Sequence, residues 1–188
     1  MGTGPDCIVS YLDLIGTKSE ITNSMKSEWI ETFNRVYSII RNNANNSMPM
    51  HEVIYYWNDS VLLLALPKSK EDYEPIIKEV NTLKKLIDCV RKSFVVCIKG
   101  KTIDDNNYDL VNDSLNSKAI YLRASSMAFA NCFEVLDYIE KHNKQKASWY
   151  IDKRIVDNLN ITNKSIKNRI PLLPRNVRFV YKYNDYLW

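Results

Sequence analysis

Apolar positions recur along the chain with periods that change from segment to segment, and each change marks an expected change of element. Residues 7–14, CIVSYLDL, form an apolar run stopped by Gly16, which predicts a first strand. From about 20 to 42, Ile21, Met25, Trp29, Phe33, Tyr37 and Ile40 recur at three- and four-residue steps, predicting a helix with one buried stripe. The run from Asn42 to Ser47 is polar and predicts a loop. Residues 52–57 and 60–66 are strand-like and separated only by Asn58 and Asp59. Asn and Asp tolerate turn dihedrals, so a tight hairpin is expected there.

Pro67 closes the hairpin, and Tyr73, Ile76, Ile77, Val80, Leu83, Ile87 and Val90 give residues 71–92 a second amphipathic stripe. Phe94 to Ile98 is short and rich in β-branched residues, which predicts a central strand. The Asp- and Asn-rich stretch 102–114 reads as a loop or hairpin tip, and a third helix is expected over roughly 117–141. Trp149 to Ile151 and Val177 to Tyr181 are expected strands. The order is strand, helix, hairpin, helix, strand, helix. It predicts an α+β fold with a ferredoxin-like βαββαβ core, an antiparallel sheet with helices packed on one face. No repeat and no convincing linker divides residues 1–188, so one domain is expected.

Composition narrows the classes. In 188 residues, 45% hydrophobic and 26% charged is ordinary for a globular chain. No run approaches the roughly 18 apolar residues that span a membrane. The start, MGTGPDCIVS, has no basic and then apolar pattern of a signal peptide, and Asp6 stands where a myristoylation signal wants Ser or Thr. Cys7, Cys89, Cys97 and Cys132 form no CxxC pair, and His51 and His142 are the only histidines. A zinc site or histidine triad is therefore not expected, and a reduced, cytoplasmic protein is. The net charge of +4 is uneven: residues 141–188 hold 11 Lys and Arg against 3 Asp, so the preceding part is net negative. A basic tail can attract RNA, phosphate or an acidic partner. It carries no recognised nucleic-acid motif, and solvated surface is the expected reading.

The chemistry gathers at two acids. Asp13 lies inside the apolar run Tyr11-Leu12-Asp13-Leu14-Ile15-Gly16-Thr17, and Asp59 lies between the two hairpin strands. Burying a charge is costly unless it is paired or metal-bound. If the first strand lies beside the hairpin, the two acids meet at one border of the sheet. Mg²⁺ or Mn²⁺ suits a few carboxylates plus triphosphate oxygens. The backbone amides of Ile15, Gly16 and Thr17 would then hold phosphate. The competing reading is that Asp59 caps a turn and Asp13 caps a helix. Lys99-Gly100-Lys101 lacks the length and Ser/Thr ending of a phosphate loop and reads as a solvated turn. Asp104, Asp105, Asp109 and Asp113 lack EF-hand spacing and read as acidic surface.

The segment Tyr11 to Gly16 resembles the first metal-binding strand of class III nucleotidyl cyclases, and Trp57-Asn58-Asp59-Ser60 resembles their hairpin, with Asn58 where Gly is usual. The resemblance covers about residues 7–140. It implies a head-to-tail homodimer with active sites between subunits, and two Mn²⁺ or Mg²⁺ ions per site held by Asp13, Asp59 and the Leu14 carbonyl. It also implies cyclisation of a nucleoside triphosphate with release of pyrophosphate, with substrate contacts at Leu14, Ile15, Gly16 and Thr17. Arg123 matches the family arginine that stabilises the transferring phosphate, but Ala119 replaces the usual Asn four residues earlier, with Asn116 further upstream.

Along the strand leading to Asp59, Val53, Tyr55 and Trp57 share a face by the two-residue period. Purine-specific members place a Lys or Glu near Val53; the face of Val53, Tyr55 and Trp57 itself carries neither, and Glu52 precedes it. Tyr55 and Trp57 are therefore candidate base contacts. The short form with Tyr55 resembles the pyrimidine cyclases of bacterial anti-phage defence, which make cyclic UMP or cyclic CMP for a separate effector. UTP is expected slightly ahead of CTP. The alternatives are a purine cyclase and a catalytically silent nucleotide-sensing or adaptor domain on the same fold.

Overall fold

The computed structural model describes residues 4–17, 27–57, 59–102, 127–142, 148–160, 180–183 and 187–188. Its strands are β1 (Asp6–Leu14), β2 (Val53–Trp57), β3 (Ser60–Ala65), β4 (Ser93–Lys101), β5 (Trp149–Asp152) and β6 (Val180–Tyr183). Its helices are α1 (Ser27–Asn46), α2 (Tyr73–Asp88), α3 (Met127–His142) and the short α4 (Lys153–Val156). The strands form one sheet in the order β2-β3-β1-β4-β5-β6. β1 runs antiparallel to both β3 and β4, and β2 and β3 are antiparallel partners across the hairpin.

The order of the first elements matches the periodicity, and two features differ from the expected sheet. β5 joins β4 in parallel, while β6 pairs antiparallel with β5, so the sheet is mixed. Helices also cover both faces. On the first face, Ile8, Leu12, Leu63, Val95 and Ile151 pack beneath α1, α2 and Ile155. On the second, Val9, Tyr11, Leu62, Leu64, Val96 and Ile98 pack beneath Ala128, Cys132, Val135 and Ile139 of α3. The reason is visible in the strands. β1, β3 and β4 are apolar on both sides, and β3 is buried at every position, so neither face can be left to water. Each fully buried Leu, Ile or Val contributes about 1.5–3 kcal/mol.

The stripe of α1 also shifts. Among its described side chains the buried positions are Val36 and Ile40, whereas Tyr37 is 48% exposed. Trp29 stacks on Phe33 at 4.6 Å, and Tyr37 lies 5.6 Å from Tyr56 of the border strand. The helix thus packs at the margin of the sheet, and its aromatic line covers β2 and itself. Lys99, Gly100 and Lys101 belong to β4 and are no solvated turn. Lys99 bonds the Tyr73 hydroxyl and pairs with Asp6 at 2.9 Å, and a Cβ on Gly100 would lie 2.5 Å from the Ala128 nitrogen. Gly100 is what lets α3 sit directly on the sheet.

Cys7, Cys97 and Cys132 are buried and Cys89 is exposed, all as free thiols. No described helix is long and apolar enough to cross a membrane. The acidic stretch after residue 102, the start of the third expected helix, Arg123 and residues 161–179 of the basic region lie outside the described residues.

Candidate active site

The register of β1 against the hairpin decides where the two acids go. Asp13 stands directly opposite Ser60, and Tyr11 opposite Leu62. Across the hairpin, Ser60 faces Trp57 and Leu62 faces Tyr55. Directly opposed residues share a face. The second face of the sheet therefore carries Ser60 and Asp13 at its end, with Tyr55, Leu62 and Tyr11 one row in. Asp59, at the turn, joins this end because its carbonyl accepts the Leu14 amide at 3.1 Å.

Hydroxyl groups connect the two carboxylates. Ser60 Oγ lies 2.8 Å from Asp13 Oδ1 and 3.5 Å from Asp59 Oδ1. Tyr11 donates its hydroxyl proton to Ser60 Oγ at 2.6 Å. Thr17 donates to the other oxygen of Asp59. Both acids thus converge on one buried serine. Burial is the chief reason that the Tyr11 hydroxyl is pushed up to about 12; its bond to Ser60 opposes the rise, and the Asp13 and Asp59 charges add to it. Tyr56 is likewise pushed up to about 12, first by burial and then by the Asp59 charge. Both phenols keep their protons through the neutral range.

Gly16 is where the chain turns out of β1, with φ +83, a conformation costly for residues with a Cβ. A Cβ there would also come within 3.0 Å of Arg91 Nη2. The segment between α2 and β4 clamps the turn from behind. The Ile15 amide donates to the Lys92 carbonyl at 2.8 Å, and Arg91 Nε donates to the Ile15 carbonyl at 3.0 Å. This corrects the expectation that the Ile15 amide holds phosphate, since that amide is spent on the fold. Of the rest of the turn, Gly16 is exposed and Thr17 is buried. Thr17 in turn serves Asp59 through its side chain.

The segment that clamps the turn is itself anchored. Lys84 of α2, fully buried, donates to Asp88 Oδ2 at 2.6 Å and to the Ser93 carbonyl at 2.8 Å. Asp88 accepts from the Ser93 amide at 2.8 Å and from its hydroxyl at 2.6 Å. Burial lowers the Lys84 pKa, and the Asp88 charge opposes that change. Ser60, Tyr11, Arg91 and the Lys84–Asp88 pair were not singled out from sequence as site residues. Of these only Ser60 had a local signal, its place directly after Asp59.

Asp13, Asp59, Gly16 and Thr17 are brought together. Tyr55 stands on the same face, 45% exposed, while Arg123, Asn58 and the side chains of Val53 and Trp57 lie outside the described residues. Two carboxylates converging on one hydroxyl form a hard oxygen donor set that fits a divalent cation. Among the described residues no group of three or more His, Cys, Asp or Glu is placed to hold a metal. A cation at the pair would therefore draw its other ligands from backbone, water or substrate, the usual manner for Mg²⁺ with phosphates.

The fold resembles that of several solved adenylyl and guanylyl cyclases. A bacterial light-regulated adenylyl cyclase aligns with a TM-score of 0.59 at 12% identity, over 97% of this chain and 91% of that one. The guanylyl cyclase Cya2 aligns with a TM-score of 0.54 at 10% identity, over 96% and 90%. The catalytic core of a rhodopsin-guanylyl cyclase with converted specificity, in complex with ATPαS, aligns with a TM-score of 0.59 at 8% identity, over 97% of each chain. At such identities the likeness is one of fold alone. No family model and no curated protein matches the sequence.

Proposed function

We propose that the chain is a metal-dependent nucleotidyl cyclase, converting a nucleoside triphosphate to its 3′,5′-cyclic monophosphate and pyrophosphate. The observation that carries this reading is the convergence of Asp13 and Asp59 on Ser60 beside the positive-φ turn at Gly16. The shared fold supports it. Asp13, Asp59 and the Leu14 carbonyl would hold Mn²⁺ or Mg²⁺, two ions per site by the family resemblance. When bound, such a cation supplies acidification of the ribose 3′-hydroxyl and neutralisation of triphosphate charge.

This chain's own residues do the positioning. The hydroxyls of Ser60 and Thr17 orient the two carboxylates, and Arg91 and Lys92 hold the turn against which phosphate would rest. Arg123 from a second copy would stabilise charge on the transferring phosphate, the largest source of rate in such chemistry.

Two observations bear on the base and favour different readings. The fold neighbours named above are adenylyl and guanylyl cyclases, which supports a purine. Tyr55, exposed on the site's own face, supports a pyrimidine, UTP ahead of CTP, because a phenol there fills the space a smaller base leaves and offers it one hydrogen bond.

The test is incubation of the folded full chain with ATP, GTP, CTP and UTP separately, each with Mn²⁺, and product identification by mass. The expected result is cyclic monophosphate and pyrophosphate from at least one, and the ranking decides the base. Asp59→Asn, nearly isosteric, should lower turnover by on the order of a hundredfold or more, the scale on which a preorganised electrostatic group acts. Nucleotide binding by calorimetry with no product from any of the four would replace the cyclase reading with a sensing one.

A further inference from the structure

Ser60 is 3% exposed and has one hydroxyl proton to give. Tyr11 already donates to its oxygen at 2.6 Å, so the Ser60 proton must point away from Tyr11. Two carboxylate oxygens lie in that direction, Asp13 Oδ1 at 2.8 Å and Asp59 Oδ1 at 3.5 Å. The nearer one is well inside hydrogen-bond range and the farther at its limit. Tyr11, by filling the acceptor side of Ser60 Oγ, keeps the serine proton toward the carboxylates, and distance gives the bond to Asp13. Tyr11 itself is fixed in the core, its ring edge-on to Phe133 of α3 with centroids 5.8 Å apart. Asp59 has a separate donor in Thr17, which reaches its other oxygen.

We infer that Tyr11 and Ser60 form a hydrogen-bond relay that positions the Asp13 carboxylate for a divalent cation, with Ser60 acting directly and Tyr11 acting only through Ser60. The inference rests on the metal-site reading above and adds the residues that tune it. A carboxylate turns freely about its last bond, and a charge-assisted bond to one oxygen fixes the plane in which the other meets a cation. Partners of this kind are typically worth about ten- to a hundredfold in metal affinity. The relay also ties α3, on the second face of the sheet, to the carboxylate pair through Phe133, Tyr11 and Ser60 in sequence.

The experiment is Mn²⁺ titration of the nucleotide-free full chain, followed by electron paramagnetic resonance or water proton relaxation, so that turnover is not the readout. The set comprises wild type, Ser60→Ala, Ser60→Thr, Tyr11→Phe and the Tyr11→Phe/Ser60→Ala double variant. Ser60→Ala should weaken Mn²⁺ binding about tenfold or more. Ser60→Thr, which keeps the hydroxyl, should bind within about threefold of wild type on the same scale. Tyr11→Phe should weaken binding less than Ser60→Ala, because the serine proton survives but loses its direction. The double variant should bind like Ser60→Ala alone, since an effect passed through one group vanishes with that group.

Wild-type affinity in Ser60→Ala would overturn the relay while leaving the metal site standing. Additive losses in the double variant would show Tyr11 acting by packing and overturn its role. Absence of Mn²⁺ binding by wild type would overturn the metal reading and the relay with it. Should Ser60→Ala fail to fold, Tyr11→Phe with unchanged Mn²⁺ affinity is the overturning result.

Discussion

A charge placed on an apolar strand needs a physical reason, and Asp13 and Asp59 find one in each other's neighbourhood. Ser60 and Thr17 give each carboxylate a hydroxyl donor, and the two acids are drawn to one point at the end of the sheet. Tyr55 sits one row further along the same face and is exposed. If it selects a pyrimidine, Tyr55→Ala should reduce the preference for UTP or CTP over purines by about tenfold, or ~1.4 kcal/mol, near the worth of one hydrogen bond. Stability should change by no more than about 0.5 kcal/mol, as for other surface positions. Ratios of kcat/KM across the four nucleotides read the effect. An unchanged ranking would assign Tyr55 to the surface and place the selector elsewhere.

At the scale of elements, the link between α2 and β4 determines how firmly the glycine turn is held. Lys84 and Asp88 form an ion pair four residues apart on the buried side of α2, and Asp88 caps the entry to β4 through Ser93. Lys84 has its pKa lowered by burial, so between that lowered value and the ordinary 10.5 the folded chain binds fewer protons than the unfolded one. Stability then rises with pH across that window. Asp88→Asn removes the charge that opposes the shift, so the window widens downward. At neutral pH the variant should lose about 3 kcal/mol, the scale for breaking a buried pair from one side. The gap to wild type should shrink as pH rises towards 10. Urea midpoints at several pH values measure it, and a gap independent of pH would mean that Lys84 is not the cause.

This pair also shows where sequence reading stops. A Lys followed four residues later by an Asp is an ordinary surface pair on a helix, and only the packing of α2 on the sheet turns it inward. Asp13 and Asp59 were legible because a carboxylate beside apolar strands is itself anomalous. Ser60 stands directly after Asp59 in the sequence, but its role becomes legible only when register sets it opposite Asp13. Likewise the spent amide of Ile15 depends on Lys92, some seventy-five residues away in the chain, and no local period could reveal it. The parallel seat of β5 and the second helical layer depend on how strands far apart in sequence meet. The double-sided apolar character of β1 and β4 already hinted that both faces would be covered.

For the whole molecule, the resemblance to class III cyclases proposes a head-to-tail dimer in which one copy brings Asp13 and Asp59 and the other brings Arg123. A symmetric pair has two such composite sites, and each copy contributes different parts to each. The carboxylates lie at the end of the sheet beside the border hairpin. Subunit complementation follows from this arrangement. Asp59→Asn alone and Arg123→Ala alone should each be nearly inactive. Mixed and allowed to exchange subunits, they should regain a substantial part of wild-type turnover, because one of the two sites in each mixed dimer keeps both its acids and its arginine. Turnover of the mixture against each variant alone, at equal total protein, reads the outcome. No recovery, with exchange verified by mass, would mean that Arg123 serves its own copy or does not serve the reaction. Recovery that rises with dimer concentration would assign the site to two chains.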